Sequence, residues 1–430
     1  MLETRSEPAS LPLPQVDAEA LHQMMEEVSA FGGGPGGAMT RLTLSREDKA
    51  ARDWLANWLK NSGLRLETDP MGNMYGFLDW AGPDAPLVMS GSHLDSQPNG
   101  GRFDGAYGVI AACAAIDAIR KHVAAAGITP KVNFCIVNWT NEEGARFQPS
   151  LLGSGVNAGE LTLDFALARQ DVDGISVRQA LDDIGYAGTF GPVVPDALIE
   201  LHIEGSAALE KKGMRFAVFN RFWGNVKYRL AFIGRQSHTG PTPMAERHDA
   251  LLAAAYLIVE LKGFADQAGI DLHTSCGRLE VYPNSPNVVP GEAVMFIELR
   301  SAKPDVLAWA EAQLNEKVDL CAKKADVGFE VRSIDRRRAG NMDEGLVALA
   351  QITAAEFGLE TLLLDTIGGH DAISMTAVSP AIVIAVPSVG GVIHHPTEFT
   401  TPEDRLLGAE ILNAMLWKFC VNGNILKTTD

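Results

Sequence analysis

The stretch Gly91–Val109 reads GSHLDSQPNGGRFDGAYGV and places His93, Asp95 and Asp104 in a glycine-rich loop. The residues before it, APLVMSGS, are apolar and end in small side chains, which is typical of a buried strand. The residues that follow, AYGVIAACAAIDAIRKHVAA, predict a long helix. A strand that ends in two carboxylates and an imidazole indicates a metal site more than a surface turn.

The same design recurs at other predicted strands. KVNFCIVNWTNEEG runs from an apolar strand directly into Glu142 and Glu143, and ALIELHIEG carries His202 near its end. The strand AIVIAVPS is followed, six residues later, by His394. Alternating helices and strands predict an α/β fold with a mostly parallel central sheet and flanking helices. In such folds ligands bind at the carboxyl ends of the strands, where all these residues fall.

Length, composition and charge favour a globular protein of two domains and argue against nucleic-acid-binding and membrane proteins. At 430 residues the chain is long enough for two domains, and its 46% hydrophobic content is that of a globular protein. The net charge of −18 argues against a nucleic-acid partner. No apolar run reaches the ~20 residues of a membrane span. The start, MLETRSEPASLPLPQ, does not resemble a signal peptide, so we expect a cytoplasmic protein.

The middle of the chain follows a different pattern from its ends. From about residue 213 the predicted elements run β-α-β-β-α-β, the order of a ferredoxin-like unit. We therefore predict a catalytic domain in two segments, 1–212 and 337–430, with an inserted α+β domain at 213–336. Its expected role is that of a lid and a dimerisation domain. A purely structural oligomerisation module is a rival interpretation of the insert.

Nitrogen and oxygen donors of this mixture suit zinc, and also manganese, cobalt or nickel. Three imidazoles and two or three carboxylates exceed the needs of one tetrahedral ion, and they fit two ions that share a carboxylate and a water. Adjacent residues of an extended segment point to opposite sides, so one of Glu142 and Glu143 could bind metal while the other acts as a base. A solvated turn with two acids is the alternative for this pair, and a lone histidine such as His202 is as often structural.

Taken together, these stretches resemble the M20 metallohydrolase superfamily. The narrower resemblance is to its amidase group, which contains N-carbamoyl-L-amino-acid hydrolase, β-ureidopropionase and allantoate amidohydrolase. The matching segments are GSHLDSQPNGGRFDGAYGV, NEEGARF, ELHIE, SHTGPTPMAERHDAL, PNSPNVVPGE, GGHDA and GVIHHPTEFT, in the family's order.

The resemblance implies a role for each matching residue. One metal would be bound by His93 and His202 and the other by Glu143 and His394, with Asp104 as the bridge. Glu142 would be the general base, and Asp95 would orient His93. In the inserted domain, His238 would stabilise the oxyanion, and Asn287 and Arg300 would hold the substrate carboxylate. The backbone of Gly368, in the segment after that domain, would help to hold it.

The implied activity is hydrolysis of a linear C–N bond in an N-carbamoyl amino acid or a related ureido or amide compound, by a homodimer with two divalent ions. Allantoate cleavage, peptide or acylamino-acid hydrolysis, and a binding protein without catalysis are the alternatives. Arg300 and His238 could instead be a surface arginine and a turn histidine, and His370 with Asp371 could be structural residues at a helix start.

Two segments depart from the family's pattern. The family often reads HIEQGP where this chain reads HIEGSA, so Gly205 replaces a glutamine that helps to frame the substrate. The family's SHNPxE is IHHPTE here, so Ile393 replaces serine and His395 replaces asparagine. The metal-ligand pattern is intact, whereas the substrate pocket is predicted to differ.

Overall fold

A computed structural model describes residues 12–423 and residue 426. Most of the stretch on which the prediction about the start of the chain rests lies outside the described residues. By its contacts the chain divides into two compact units. The first unit extends to Asn220 and includes Met342–Leu364 and the chain from Gly369 onward, and the second comprises Arg221–Asn341 and Asp365–Gly368.

Helices and strands alternate along most of the chain. The helices are α1 (Ala18–Ser29), α2 (Arg46–Asn61), α3 (Ala106–Ala126), α4 (Leu152–Asn157), α5 (Leu163–Leu167), α6 (Val177–Ile184), α7 (Ala208–Lys212), α8 (Ala250–Ala268), α9 (Pro304–Lys324), α10 (Glu344–Glu356), α11 (Asp371–Met375) and α12 (Pro402–Asn422). The strands are β1 (Arg65–Thr68), β2 (Met74–Leu78), β3 (Leu87–His93), β4 (Asn133–Trp139), β5 (Ala197–Glu204), β6 (Ala217–Phe222), β7 (Gly224–Ile233), β8 (Ser237–His238), β9 (His273–Tyr282), β10 (Val288–Val289), β11 (Glu292–Ser301), β12 (Gly328–Arg337), β13 (Gly340–Asn341), β14 (Leu362–Thr366) and β15 (Ala381–Pro387).

The large sheet has the strand order β1-β2-β4-β3-β5-β15-β6-β13, and β14 also pairs with β6. Its centre is parallel, because β3 pairs in parallel with both β4 and β5, and β5 with β15. Strands β4 and β5 are buried along their whole length, as expected when helices cover both faces. The predicted α/β class, with a mostly parallel central sheet and flanking helices, is confirmed.

Helix α3 begins where the backbone passes closest to the predicted site. Gly105 precedes it with φ +65°, and a Cβ atom there would lie 2.3 Å from the ring of His93. Only glycine accepts both this left-handed conformation and this close approach. Apolar residues of α3, such as Val109 and Ile116, are fully buried in the core of the first unit. The loop that carries Asp104 is therefore fixed at one end by β3 and at the other by a buried helix.

The second unit has the order β7-α8-β9-β11-α9-β12 around a four-stranded antiparallel sheet, β12-β7-β11-β9. Alternate residues of β7, which are Val226, Tyr228, Leu230 and Phe232, form a buried core with apolar residues of α8 and α9. Because side chains alternate along a strand, the residues between them lie on the opposite face of the sheet.

All five cysteines are free thiols, and Cys113, Cys135, Cys321 and Cys420 are buried. Within the described part of the chain, no helix is long and apolar enough to cross a membrane.

Candidate metal centre and active site

The central sheet brings five predicted metal ligands of the first unit together at the carboxyl ends of its strands. His93 is the last residue of β3, and His202 lies near the end of β5. The other three lie in the loops that follow β3, β4 and β15, and they are Asp104, Glu143 and His394. The donor atoms form two groups compact enough to hold a metal ion, His93–Asp104–His202 and Asp104–Glu143–His394.

Asp104 is common to both groups and offers one oxygen to each. Its Oδ1 atom lies 2.9 Å from Nε2 of His202 and 3.8 Å from Nε2 of His93. Its Oδ2 atom lies 2.9 Å from Nε2 of His394, which in turn lies 3.2 Å from Oε2 of Glu143. Asp104 therefore faces both groups, each through a different oxygen.

Hydrogen bonds orient the two buried imidazoles. Nδ1 of His93 lies 2.9 Å from the backbone oxygen of Asp95, and Nδ1 of His202 lies 2.8 Å from the backbone oxygen of Ile203. Since a carbonyl oxygen only accepts, each Nδ1 carries the hydrogen and donates it. In both rings Nε2 is then the nitrogen that faces Asp104, and it is the atom left for a metal ion.

Asp95 contacts the site in two ways. Its backbone oxygen holds His93, whereas its carboxylate Oδ1 lies 3.8 Å from the same ring. The carboxylate instead accepts from the backbone N–H groups of Glu142 and Glu143, at 3.3 and 3.4 Å. The side chain of Asp95 therefore positions the acidic pair, while its main chain positions the imidazole.

Glu142 and Glu143 face different histidines, although they are adjacent. Oε2 of Glu142 lies 3.5 Å from Nε2 of His93, and Oε2 of Glu143 lies beside His394. Gln97 donates to both carboxylate oxygens of Glu143 and fixes its orientation. Burial, with the nearby charges of Asp371 and Glu143, raises the pKa of Glu142 well above its ordinary value.

The pKa shifts in the cluster show that its negative charge favours bound protons or cations. Hydrogen bonds to Asp104 and Glu143 raise the pKa of His394 to about 10. Burial lowers the pKa of His202, but the bond to Asp104 reverses this and raises it to about 9. Burial raises the pKa of Asp95 to about 7. Buried carboxylates in this number need cations or protons to balance them, and the donor set fits divalent metal ions.

Glu398 is a site residue that was not predicted, although it is the last residue of the IHHPTE segment. It is 4% exposed and accepts hydrogen bonds from the backbone N–H groups of Phe103 (2.8 Å), Asp104 (3.1 Å) and His394 (3.3 Å). Glu398 thus ties the loop of the bridging carboxylate to the loop of His394. The neighbouring PTE sequence after His394 could have pointed to it.

His370 and Asp371 lie behind His202. The rings of His370 and His202 pack edge to face at 4.5 Å, and the carboxylate of Asp371 accepts from Oγ of Ser154 at 2.5 Å. Asp371 is the first residue of α11, with His370 before it. His370, His202 and Glu200 also form a compact group of donor atoms, but both oxygens of Glu200 already accept hydrogen bonds, from Ser92 and Ala372.

The predicted substrate-binding residues all belong to the second unit, where they form two pairs. His238 and Asn287 are neighbours, because β8 pairs with β10 and the N–H of Thr239 donates to the oxygen of Asn287 at 3.1 Å. Arg300 donates to the backbone oxygen of Ile367, next to Gly368, and forms an ion pair with Glu298 at 2.9 Å.

The two pairs lie toward opposite ends of the four-stranded sheet, with His238 and Asn287 at the separate two-stranded pair β8–β10. Glu292 pairs with Ile233 at the end of β7 that leads into His238, whereas Arg300 pairs with Asn225 at the start of β7. Eight residue steps separate Glu292 from Arg300, which is about 26 Å at about 3.3 Å per residue. One small substrate cannot contact both pairs of the same chain.

Two of the departures from the family's pattern prove to be neighbours. A Cβ atom at Gly205 would lie 3.3 Å from Cγ2 of Ile393, so the isoleucine occupies the space beside the glycine. His395 is exposed, and its Nδ1 atom is engaged by Thr397 of its own turn at 2.8 Å. His394 and His395 therefore have separate surroundings although they are adjacent.

An α/β sheet whose strand ends carry two histidine–carboxylate groups joined by one aspartate defines a class of metal-dependent hydrolase. The chain belongs to peptidase family M20/M25/M40, whose model matches residues 89–418. This confirms the family resemblance found in the sequence.

Curated relatives cover nearly the whole chain. A protein of Mycolicibacterium smegmatis described only as a hydrolase is 42% identical over 91% of this chain and 90% of its own length. An N-carbamoyl-L-amino-acid amidohydrolase of Rhizobium meliloti is 33% identical, over 93% of this chain and 95% of its own. An allantoate amidohydrolase of Bacillus subtilis is 31% identical, over 92% and 96%.

A solved structure shares the fold. It is a crystal structure of an amidase of the hydantoinase/carbamoylase family from Burkholderia vietnamiensis, with 35% identity and a TM-score of 0.85. The match covers 94% of this chain and 98% of that chain. The amidohydrolases and the amidase among these relatives are named for hydrolysis of C–N bonds, in agreement with the predicted enzyme class.

Proposed function

We propose that this protein is a metal-dependent amidohydrolase that cleaves the linear C–N bond of an N-carbamoyl amino acid or a related ureido or amide compound. The observation that carries the proposal is Asp104, whose two oxygens face separate histidine-containing groups. The named relatives support the substrate class, since their own names specify N-carbamoyl amino acids and allantoate.

The cofactors of the proposal are two divalent ions, zinc or else manganese, cobalt or nickel. The first would be held by His93, Asp104 and His202, and the second by Asp104, Glu143 and His394. When bound, such ions polarise a substrate carbonyl and lower the pKa of a water molecule.

Glu142 is the general base of the proposal. Its buried carboxylate faces the cluster, and its raised pKa matches a group that accepts a proton and then releases it near neutral pH. It takes a proton from the attacking water and returns it to the leaving nitrogen as the C–N bond breaks. Hydrolysis of one C–N bond of an N-carbamoyl amino acid leaves a carbamic acid, which then loses carbon dioxide, so that the final products are the amino acid, carbon dioxide and ammonia.

His238 is proposed to stabilise the developing oxyanion. Its Nδ1 atom accepts from the N–H of Gly240 at 3.0 Å, so the neutral ring carries its hydrogen on Nε2, which is free to donate. Arg300, Asn287 and the backbone of Gly368 are proposed to hold the substrate carboxylate, for which a planar guanidinium is suited.

The second unit is proposed to act as a lid and as the dimerisation domain of a homodimer. Closure of a lid brings substrate-binding groups to a metal centre and expels water. The separation of His238 and Asn287 from Arg300 and Gly368 supports a dimer, because two copies could each contribute one pair to a site. A cytoplasmic location remains a prediction from the sequence.

The test is an assay of the purified protein, supplemented with zinc, manganese, cobalt or nickel, against a panel of N-carbamoyl amino acids, allantoate, acylamino acids and dipeptides. Turnover of N-carbamoyl amino acids that falls by a factor of about 100 to 10,000 in Glu142→Gln supports the proposal. Metal binding without turnover of any substrate would favour a binding protein, and a preference for allantoate or dipeptides would favour the other family activities.

A further inference from the structure

A buried asparagine beside Arg300 has an unused hydrogen-bond acceptor. Asn225 is 6% exposed, and its Oδ1 atom is buried without a hydrogen-bond partner among the described residues. Leaving such an acceptor unpaired costs free energy, so buried amide groups are normally satisfied. An unpaired acceptor that persists next to a proposed ligand-binding group points to a partner supplied from outside the chain.

The strand register places Asn225 next to Arg300. The two residues are direct partners in the antiparallel pair β7–β11, and Arg300 is also the partner of His273 on β9. Directly opposed residues share one face of a sheet, and their Cα atoms are about 4.5–5.5 Å apart. Val226 lies on the face that packs against the helices, so Asn225 and Arg300 share the other face.

The segment that contains Gly368 also lies at this end of the sheet. The N–H of Trp223, two residues before Asn225, donates to the backbone oxygen of Thr366 at 3.0 Å. Arg300 donates through Nη1 to Ile367 and pairs through Nη2 with Glu298, so part of its five N–H groups remains available. An anion-binding donor set and an unused acceptor therefore lie side by side.

We propose that Asn225 is a substrate-binding residue, whose side-chain oxygen accepts a hydrogen bond from the N–H on the carbon that bears the carboxylate held by Arg300. In an amino-acid derivative this N–H and the carboxylate are separated by one carbon. This N–H and this carboxylate are close enough to contact Asn225 and Arg300, which are direct cross-strand partners. The other groups of the substrate lie farther from the carboxylate. The inference rests on the proposed function and extends it, because it makes the secondary N–H a recognised part of the substrate.

The test compares two ligands in a background that binds without cleaving. N-Carbamoyl-L-leucine and its α-N-methyl analogue are titrated calorimetrically into metal-loaded Glu142→Gln, with and without Asn225→Leu. With Asn225 present, methylation is expected to weaken binding about tenfold or more, since it leaves the acceptor unpaired. With Asn225→Leu, both ligands should bind equally weakly. Asn225→Asp, which keeps an acceptor oxygen, should retain the discrimination.

Thermal unfolding separates this role from a structural one. If Asn225 serves the ligand, Asn225→Leu removes an unsatisfied buried acceptor and should leave Tm unchanged or higher. Ser275→Ala, an exposed change on the same face, is the matched control and should alter neither Tm nor binding. An equal effect of methylation with and without Asn225, or a Tm lowered by several degrees in Asn225→Leu, would overturn the inference.

The two proposals fail in different measurements. If the protein with Glu142 intact shows no turnover, the proposed function is contradicted. The ratio of the affinities for the methylated and unmethylated ligands still tests the role of Asn225. An affinity ratio that Asn225→Leu does not change contradicts the role of Asn225 and leaves the hydrolase activity standing.

Discussion

At the scale of single residues, the chemistry of the site follows from which oxygen or nitrogen each side chain leaves free. In His93 and His202, Nδ1 donates a hydrogen bond to a backbone oxygen and Nε2 faces the cluster. Both carboxylate oxygens of Glu398 accept hydrogen bonds from backbone N–H groups, so this residue supports the loops of the site. The carboxylate of Glu142 instead faces His93, which suits a base.

The contact between Gly205 and Ile393 predicts a substrate preference. Position 205 offers no polar side chain, and Ile393 provides an apolar surface in its place, next to His394. We expect N-carbamoyl derivatives of leucine or methionine to be hydrolysed in preference to allantoate, which is polar throughout. The double change Gly205→Gln with Ile393→Ser should shift the ratio of kcat/KM toward allantoate by a factor of about 10 to 200.

Each single change serves as the control for this pair. Because a side chain at position 205 meets Ile393, Gly205→Gln alone should lower kcat/KM for every substrate more than the double change does. Equal ratios of leucine derivative to allantoate in all four proteins would show that this contact does not line the substrate pocket.

At the scale of elements, helix α2 supports the acidic pair from a distance. Arg52 and Asp48 of this helix form a fully buried ion pair at 2.7 Å. Arg52 also donates to the backbone oxygen of Gly72 at 2.6 Å and to Oγ1 of Thr140 at 3.1 Å. Thr140 directly follows β4, two residues before Glu142, so α2 helps to hold the loop that carries the proposed base.

We expect Arg52→Met to lower the free energy of unfolding by about 3–5 kcal/mol, because it leaves the buried charge of Asp48 without its partner. Urea denaturation measures this change. Arg46→Met, at an exposed position of the same helix, is the control and should change stability by about 0.5 kcal/mol or less. Equal midpoints for the two variants would show that the pair does not stabilise the fold.

The elements were predictable from sequence where the signal is local. Apolar runs that end in acids or histidines mark β3, β4 and β5, and the ligands at their ends followed from that pattern. Glu398 and Asn225 were not predictable in this way. Glu398 acts on Asp104, 294 residues away, and Asn225 matters through its cross-strand register with Arg300. Such relations depend on packing, which no local pattern records.

At the scale of the whole molecule, the proposal of a site shared between two chains rests on the distribution of functional groups. The predicted metal ligands belong to one unit, and the proposed substrate-binding residues lie near the two ends of the sheet in the other. If a dimer completes each site, a chain that lacks His238 and a chain that lacks Glu142 carry complementary defects.

Mixing purified His238→Ala and Glu142→Ala chains after mild dissociation should therefore restore turnover. If sites are shared, one site of each mixed dimer has both residues intact, so about a quarter of the wild-type rate is expected from random pairing. Light scattering establishes the dimer. Mixtures no more active than the separate variants would show that each chain builds its site alone.

The most direct test of the metal centre is the ratio of metal to protein after reconstitution and removal of free ions, measured by elemental analysis. If Asp104 bridges two cations, about two ions per chain are expected for the wild type and about one for His394→Ala. A wild-type protein that retains no divalent ion, or retains one that is unaffected by substitution of both His202 and His394, would contradict the account.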